Sequence, residues 1–143
     1  MLFHVLNNVH VHSLRKHEIL RKKQLISLLF SSGKSIKGDF LRIVYASLKP
    51  DGYIVQRVPA ILFAVSKKTV SSAVRRNRVK RMMREAYRLE KTLVERKVEN
   101  PQEGAADELL CIAFLYTSRK KSFPDLEAFR VEIRGLMQNM RLS

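Results

Sequence analysis

The stretch from Ala73 to Arg88, AVRRNRVKRMMREAYR, carries Arg75, Arg76, Arg78, Lys80, Arg81, Arg84 and Arg88 with Glu85 as its only acid. The chemistry these residues offer is anion recognition, since guanidinium forks bind phosphate oxygens bidentately and ammonium groups add point charge. A solvated surface helix normally mixes both signs to gain i,i+4 pairs and avoid self-repulsion, so the negative charge here must come from a partner. Just upstream, VSKK adds Lys67 and Lys68. Other chemistries find less support. Most of the acids are scattered through a loop and the last helical stretch, with no cluster for a metal or a general base. All four histidines (His4, His10, His12 and His17) fall in the first 17 residues, where HVH lacks a neighbouring Cys or carboxylate, so no metal site is expected.

These cations need a helix to hold them. At about 100° per residue, Val79, Met82, Ala86, Leu89 and Leu93 fall on one side and Asn77, Lys80, Arg84, Arg88 and Lys91 on the other, with Arg76, Arg78 and Arg81 between. Ser71 or Ser72 can serve as N-cap. Arginines in a first turn oppose the helix dipole, at a cost of a few tenths of a kcal/mol each; a docked anion reverses that sign. Asn77, between two arginines, can either order the backbone or touch a 2′-hydroxyl.

Around this helix the pattern predicts an α+β domain of order αββαβα, or αβββαβα with a third short strand. Leu14 to Ser32 reads as helical, with Leu25, Leu28 and Leu29 on one stripe, Ile26 and Phe30 on a neighbouring one, and Gly33 at the C′ position. Asp39 to Leu48 and the stretch after KPDG read as strands, with Pro59 interrupting the second. Val94 to Glu108, with Pro101 and Gly104, reads as a surface loop. LLCIAFLY is an apolar strand in which Cys111 is a buried thiol. The closing helix takes Pro124 at N1 and Leu126, Phe129, Ile133, Leu136 and Met140 as its core. The strand pair flanking the basic helix makes a mixed sheet with one parallel βαβ crossover, for which a right-handed path is the ordinary expectation.

The 143 residues suit one domain: a flexible extension over 1–16 and an RNA-binding body over 17–143. The formal net charge of +15 calls for a polyanion, and nucleic acid is the usual one. The opening segment has neither a basic n-region nor the length of a span, and the lone cysteine suits a reducing compartment, so a cytoplasmic protein without membrane contact is expected.

Ala64 to Arg88, AVSKKTVSSAVRRNRVKRMMREAYR, closely resembles the signature of the bacterial ribonuclease P protein subunit, in which a KK pair precedes a helix opening on an Arg-Asn-Arg core. Leu20 to Ser35, LRKKQLISLLFSSGKS, is similar to the family's first helix and Gly-containing turn, and the likeness runs roughly from Leu20 to Met140. It implies a ribonucleoprotein endonuclease that removes the 5′ leader of precursor tRNA, with catalysis by an RNA subunit and its Mg²⁺, and a protein inactive alone. The partners are then the catalytic RNA subunit and precursor tRNA, with no small-molecule substrate. The resemblance assigns Lys67, Lys68, Arg76, Asn77, Arg78, Lys80, Arg81 and Arg84 to the RNA subunit, and Arg75 and Arg88 of the same basic helix join that set by their charge. It assigns Ile26, Phe30, Phe40, Arg42, Val44 and Ser66 to a leader cleft between the first helix and the sheet. Ile26 stands where the family usually has an aromatic residue. Alternation leaves open whether Phe40, Arg42 and Val44 or the opposite set, Leu41, Ile43 and Tyr45, wall that cleft. The family also implies a left-handed βαβ crossover. The closest rival is a ribosomal protein or general RNA chaperone, which would not share this joint spacing; a protein-only nuclease would need the missing acid clusters.

Overall fold

Leu109–Tyr116 is apolar without alternation, the pattern of a strand covered on both faces. In the computed structural model, which describes residues 14–50, 58–99 and 108–142, this strand (β4) lies inside a four-stranded sheet of order β1-β2-β4-β3. It pairs antiparallel with β2 (Leu41–Leu48) and parallel with β3 (Ala60–Val65); β1 (Lys34–Lys37) closes the β2 edge. The sheet is therefore mixed, with the short third strand present. The turn at Asp51 and the stretch before Val58 lie outside the described residues.

Register sorts the faces. Ile43, Phe114 and Phe63 align across three strands and point to one side, where α2 (Ala73–Glu90) and α4 (Leu126–Gln138) cover the main core. Val44, Ala113 and Leu62 align on the other side. There α1 (Lys23–Ser32) buries Leu25 and Leu29 against Val44, Leu48, Ala60, Cys111 and Ala113. Small side chains on that face let the helix lie close.

Gly33 shows how close. It ends α1, yet with φ −73° and ψ 154° it is extended rather than left-handed, so the expected C′ role is not the one it plays. A Cβ there would lie 2.4 Å from the Leu29 carbonyl oxygen and 2.7 Å from Val44 Cγ1. Glycine is needed for proximity, not for a positive φ. Leu28, expected on the buried stripe, is 46% exposed, because α1 meets the sheet only along a narrow stripe through Leu25 and Leu29.

The stretch expected as one helix from Leu14 is broken. Lys16–Glu18 forms a 3-10 turn, and Ile19 then bridges Ile61 while the Leu20 N–H bonds the Ile61 carbonyl at 2.8 Å. This covers the outer edge of β3. Leu14 packs on the main core, so the folded body begins before the expected boundary at residue 17. Two further expectations change. Thr92–Glu99 is a helix, α3, where a loop was expected from Val94; its Leu93 and Val94 find apolar partners in the main core. Asp125, not Pro124, sets the start of α4: its carboxylate accepts from the Ala128 N–H at 2.9 Å, leaving Pro124 outside the helix.

Candidate nucleic-acid interface

The basic helix starts at Ser72, whose hydroxyl accepts from the Arg75 N–H, and its buried stripe runs through Val79, Met83, Ala86, Tyr87 and Glu90. Met82 and Leu89, expected on that stripe, sit half-buried at its margin. The rotation follows from packing on two sides, the sheet and α4. At the α4 contact Glu90 accepts from Arg130 Nε at 2.9 Å and from Arg134 at 2.8 and 3.1 Å. Those bonds, Arg134 foremost, hold the Glu90 carboxyl below its usual range.

The cations of the helix divide by position. Arg78, Arg81 and Arg84 are exposed at i, i+3 and i+6, a single ridge, and among the described residues none has an acidic partner. Arg78, Arg81 and Arg84 line a shallow groove of ≈ 430 Å³ with Met82 and Glu85. Asn77 is exposed and Lys80 half-buried on the adjoining row.

The others are engaged within the protein. Arg76, nearer the core side, donates to the Val70 and Ser71 carbonyls at 2.9 and 2.7 Å and ties the incoming chain to the helix. Arg75 donates to the Lys121 carbonyl and lies over the Phe123 ring, 4.5 Å from its centroid. Arg88 grips Glu85 with two bonds of 2.5 and 3.1 Å, which depress the Glu85 carboxyl. Lys91, expected on the cationic face, is buried on Glu18 at 3.0 Å because the helix ends beside the 3-10 turn.

Before the helix, the Ser66 hydroxyl pairs with that of Thr69 at 2.8 Å and accepts the Thr69 N–H, folding a tight turn that leaves Lys67 and Lys68 exposed. Ser66 follows the end of β3, where Val65, Tyr116 and Leu41 are in register. That end of the sheet is also where Arg42 pairs with Leu115 and Leu115 with Ala64.

On the α1 face, Arg42 is exposed while Leu62, Ala64 and Leu115 stay half-buried, so the sheet surface is partly uncovered there. Ile26 packs half-buried beside this face and Phe30 is 46% exposed. Val44 lies under α1, and Leu41, Ile43 and Tyr45 belong to the opposite core. Phe40 is also on that opposite side, edge-on to Phe129 at 5.0 Å. It precedes β2 in a bend, where strand alternation does not apply. Leu62, Ala64 and Leu115 were missed by sequence reasoning because only strand pairing brings them together.

No group of three or more His, Cys, Asp or Glu residues that could hold a metal occurs among the described residues. His4, His10 and His12 lie outside them, and His17 is exposed. Burial raises the Cys111 thiol to about 11, so it stays protonated. No helix of the described residues is long and apolar enough to cross a membrane.

Residues 14–106 match the Ribonuclease P family. The chain is 51% identical over 141 residues to the ribonuclease P protein component of Chlorobium phaeobacteroides, covering 97% of this chain and 95% of that protein. Identity to the component of Chlorobaculum tepidum is 42% over 140 residues, 95% of this chain and 88% of the relative. The RNase P proteins of Thermotoga maritima (TM-score 0.61, 21% identity, 87% of this chain and 98% of that one) and Staphylococcus aureus (0.62, 16%, 86% and 94%) share the fold. Family match and close relatives agree along nearly the whole sequence, and this chain belongs to the ribonuclease P protein component family, whose general role is in tRNA 5′ processing.

Proposed function

We propose that the protein docks the catalytic RNA subunit of ribonuclease P on the exposed row of α2 and takes the 5′ leader of precursor tRNA along the uncovered sheet face beside α1. The observation that carries this reading is the ridge Arg78, Arg81 and Arg84, a run of guanidinium groups without an acidic partner among the described residues. Lys67, Lys68, Asn77 and Lys80 extend the same surface, whereas Arg75, Arg76 and Arg88 contribute mainly by shaping it.

For the leader, Phe30 supplies an exposed ring for base stacking, with Ile26 as an apolar neighbour and Arg42 as a cation on the floor. Ser66 and Lys67 lie where the uncovered end of the sheet meets the start of α2, so the leader surface and the RNA-subunit surface adjoin there. Mg²⁺ and the bond-breaking step belong to the RNA in this reading, and the protein works in the cytoplasm with its tRNA precursors.

Reconstitution tests it. RNA-free protein should leave a tRNA precursor uncut, and protein with its cognate RNA subunit should cleave at the 5′ boundary. The protein's benefit should be largest at low Mg²⁺, where its cations replace lost ionic screening. Copurification with ribosomes and no effect on cleavage would favour the ribosomal or chaperone role instead.

A further inference from the structure

The loop after β4 carries Arg119, Lys120 and Lys121, all exposed. It ends beside the first turns of α2 and α4, where a groove of ≈ 540 Å³ opens, within the usual range for small-molecule sites. Met82, Phe123 and Leu126 supply apolar lining, and Arg75, Arg78 and Lys121 supply three cations. Among the described residues the one acid of the lining is Asp125, an oxygen of which is committed to capping α4, and three cations outweigh it.

Two of these side chains are stacked, the guanidinium on the ring face. The Arg75 guanidinium lies 4.5 Å from the centroid of Phe123 and is fixed by the Lys121 carbonyl, while Phe123 stands edge-on to Tyr116 at 6.0 Å. Arginine and aromatic planes of this kind are platforms for unstacked bases, which a base inside a duplex cannot reach. The groove also shares Arg78 and Met82 with the groove along the α2 ridge, so it continues that surface rather than the α1 face.

We propose that this groove receives one unpaired nucleotide of the RNA subunit, its base on the Arg75 guanidinium backed by Phe123 and its phosphate on Arg78 and Lys121. The proposal rests on the reading that α2 docks the RNA subunit. An acidic peptide would use the cations but would leave the stacked Arg75 and Phe123 planes without a partner.

The test uses full-length protein and the cognate RNA subunit, with affinity measured across salt and RNA bases probed by chemical modification. Phe123→Leu should weaken binding on the order of tenfold at every salt concentration, with Phe123→Tyr restoring it. Lys121→Ala should lower the salt slope of log K by about 0.7 to 0.9, one phosphate contact. Wild-type protein should change the reactivity of at least one unpaired RNA-subunit base, and Phe123→Leu should abolish that change. Thermal midpoints check the fold; if Phe123→Leu unfolds, the exposed Lys121→Ala variant and the wild-type footprint decide. Wild-type affinity for Phe123→Leu, or an unchanged slope for Lys121→Ala with no protected unpaired base, overturns the proposal. An effect confined to precursor tRNA overturns it in favour of a leader subsite. Failure of wild-type protein to bind the RNA subunit at all would instead refute the underlying reading.

Discussion

Replacing Gly33 by Ala should separate α1 from the sheet. The new Cβ would meet the Leu29 carbonyl oxygen at 2.4 Å and Val44 Cγ1 at 2.7 Å, with the Tyr45 carbonyl oxygen at 3.1 Å. Favourable carbon contacts lie near 3.5–4.0 Å, so relief needs a shift of about 1 Å. Two of the three obstructing atoms are backbone, and Val44 is itself buried under α1. The backbone at Gly33 is ordinary for any residue, so the whole penalty is steric. Overpacking of this kind costs about 2–3 kcal/mol, and at roughly 3–4 °C per kcal/mol for a chain of this size the thermal midpoint should fall by about 6–12 °C. Function should change selectively. The ratio of precursor to mature tRNA affinity in the reconstituted enzyme should drop, while affinity of the RNA subunit for α2, on the other side of the sheet, should hold. Gly135→Ala is the internal contrast: nothing lies within 4 Å of its Cβ position in α4, so the variant should gain about 0.8–1.0 kcal/mol of helix propensity. A Gly33→Ala midpoint within about 1 °C of wild type would refute the steric argument, and equal loss of both tRNA affinities would refute the link from α1 spacing to leader binding.

Arg78→Ala with Arg84→Ala should keep the wild-type midpoint, since both side chains are exposed, and should lower the salt slope of RNA-subunit binding by about 0.7 to 0.9 per lost phosphate contact; an unchanged slope removes the ridge from the interface. Arg76→Ala should behave differently and lower the midpoint, because it also frees the Val70 and Ser71 carbonyls. Phe30→Ala should cost little stability, the ring being 46% exposed, yet weaken precursor tRNA binding about tenfold relative to mature tRNA; a large midpoint fall with an unchanged ratio would contradict both. The Glu90 carboxyl is depressed in the folded state, so its stabilisation is full above the unfolded value near 4.3 and is lost as pH falls through the lower folded value. Glu90→Gln should therefore be less stable at pH 6 and lose less on going to about pH 3 than wild type does, measured by thermal midpoints at both.

The basic helix was legible in the sequence because its signal is local. Charge of one sign beside an apolar period of 3.6, a serine cap and an RNR core needs no distant partner to be recognised, and the joint spacing with VSKK carried the family. The strand LLCIAFLY and its parallel crossover were equally readable from a fully apolar run following a helix. Which cations remain free was not readable. Arg75, Arg76, Arg88 and Lys91 share composition and local spacing with Arg78, Arg81 and Arg84, and only packing shows that their partners are the Lys121 carbonyl, the Val70 and Ser71 carbonyls, Glu85 and the distant Glu18. Phe40 left its alternation because a bend, fixed by Glu132 of α4 accepting the Asp39 and Phe40 N–H groups, turns it to the other face. Leu62, Ala64 and Leu115 become one surface only through strand register, and Gly33 acquires its purpose only when α1 meets Val44. Local periodicity determined the elements and the kind of partner, whereas register and interhelical contacts between residues far apart in the chain decided which side chains that partner can reach.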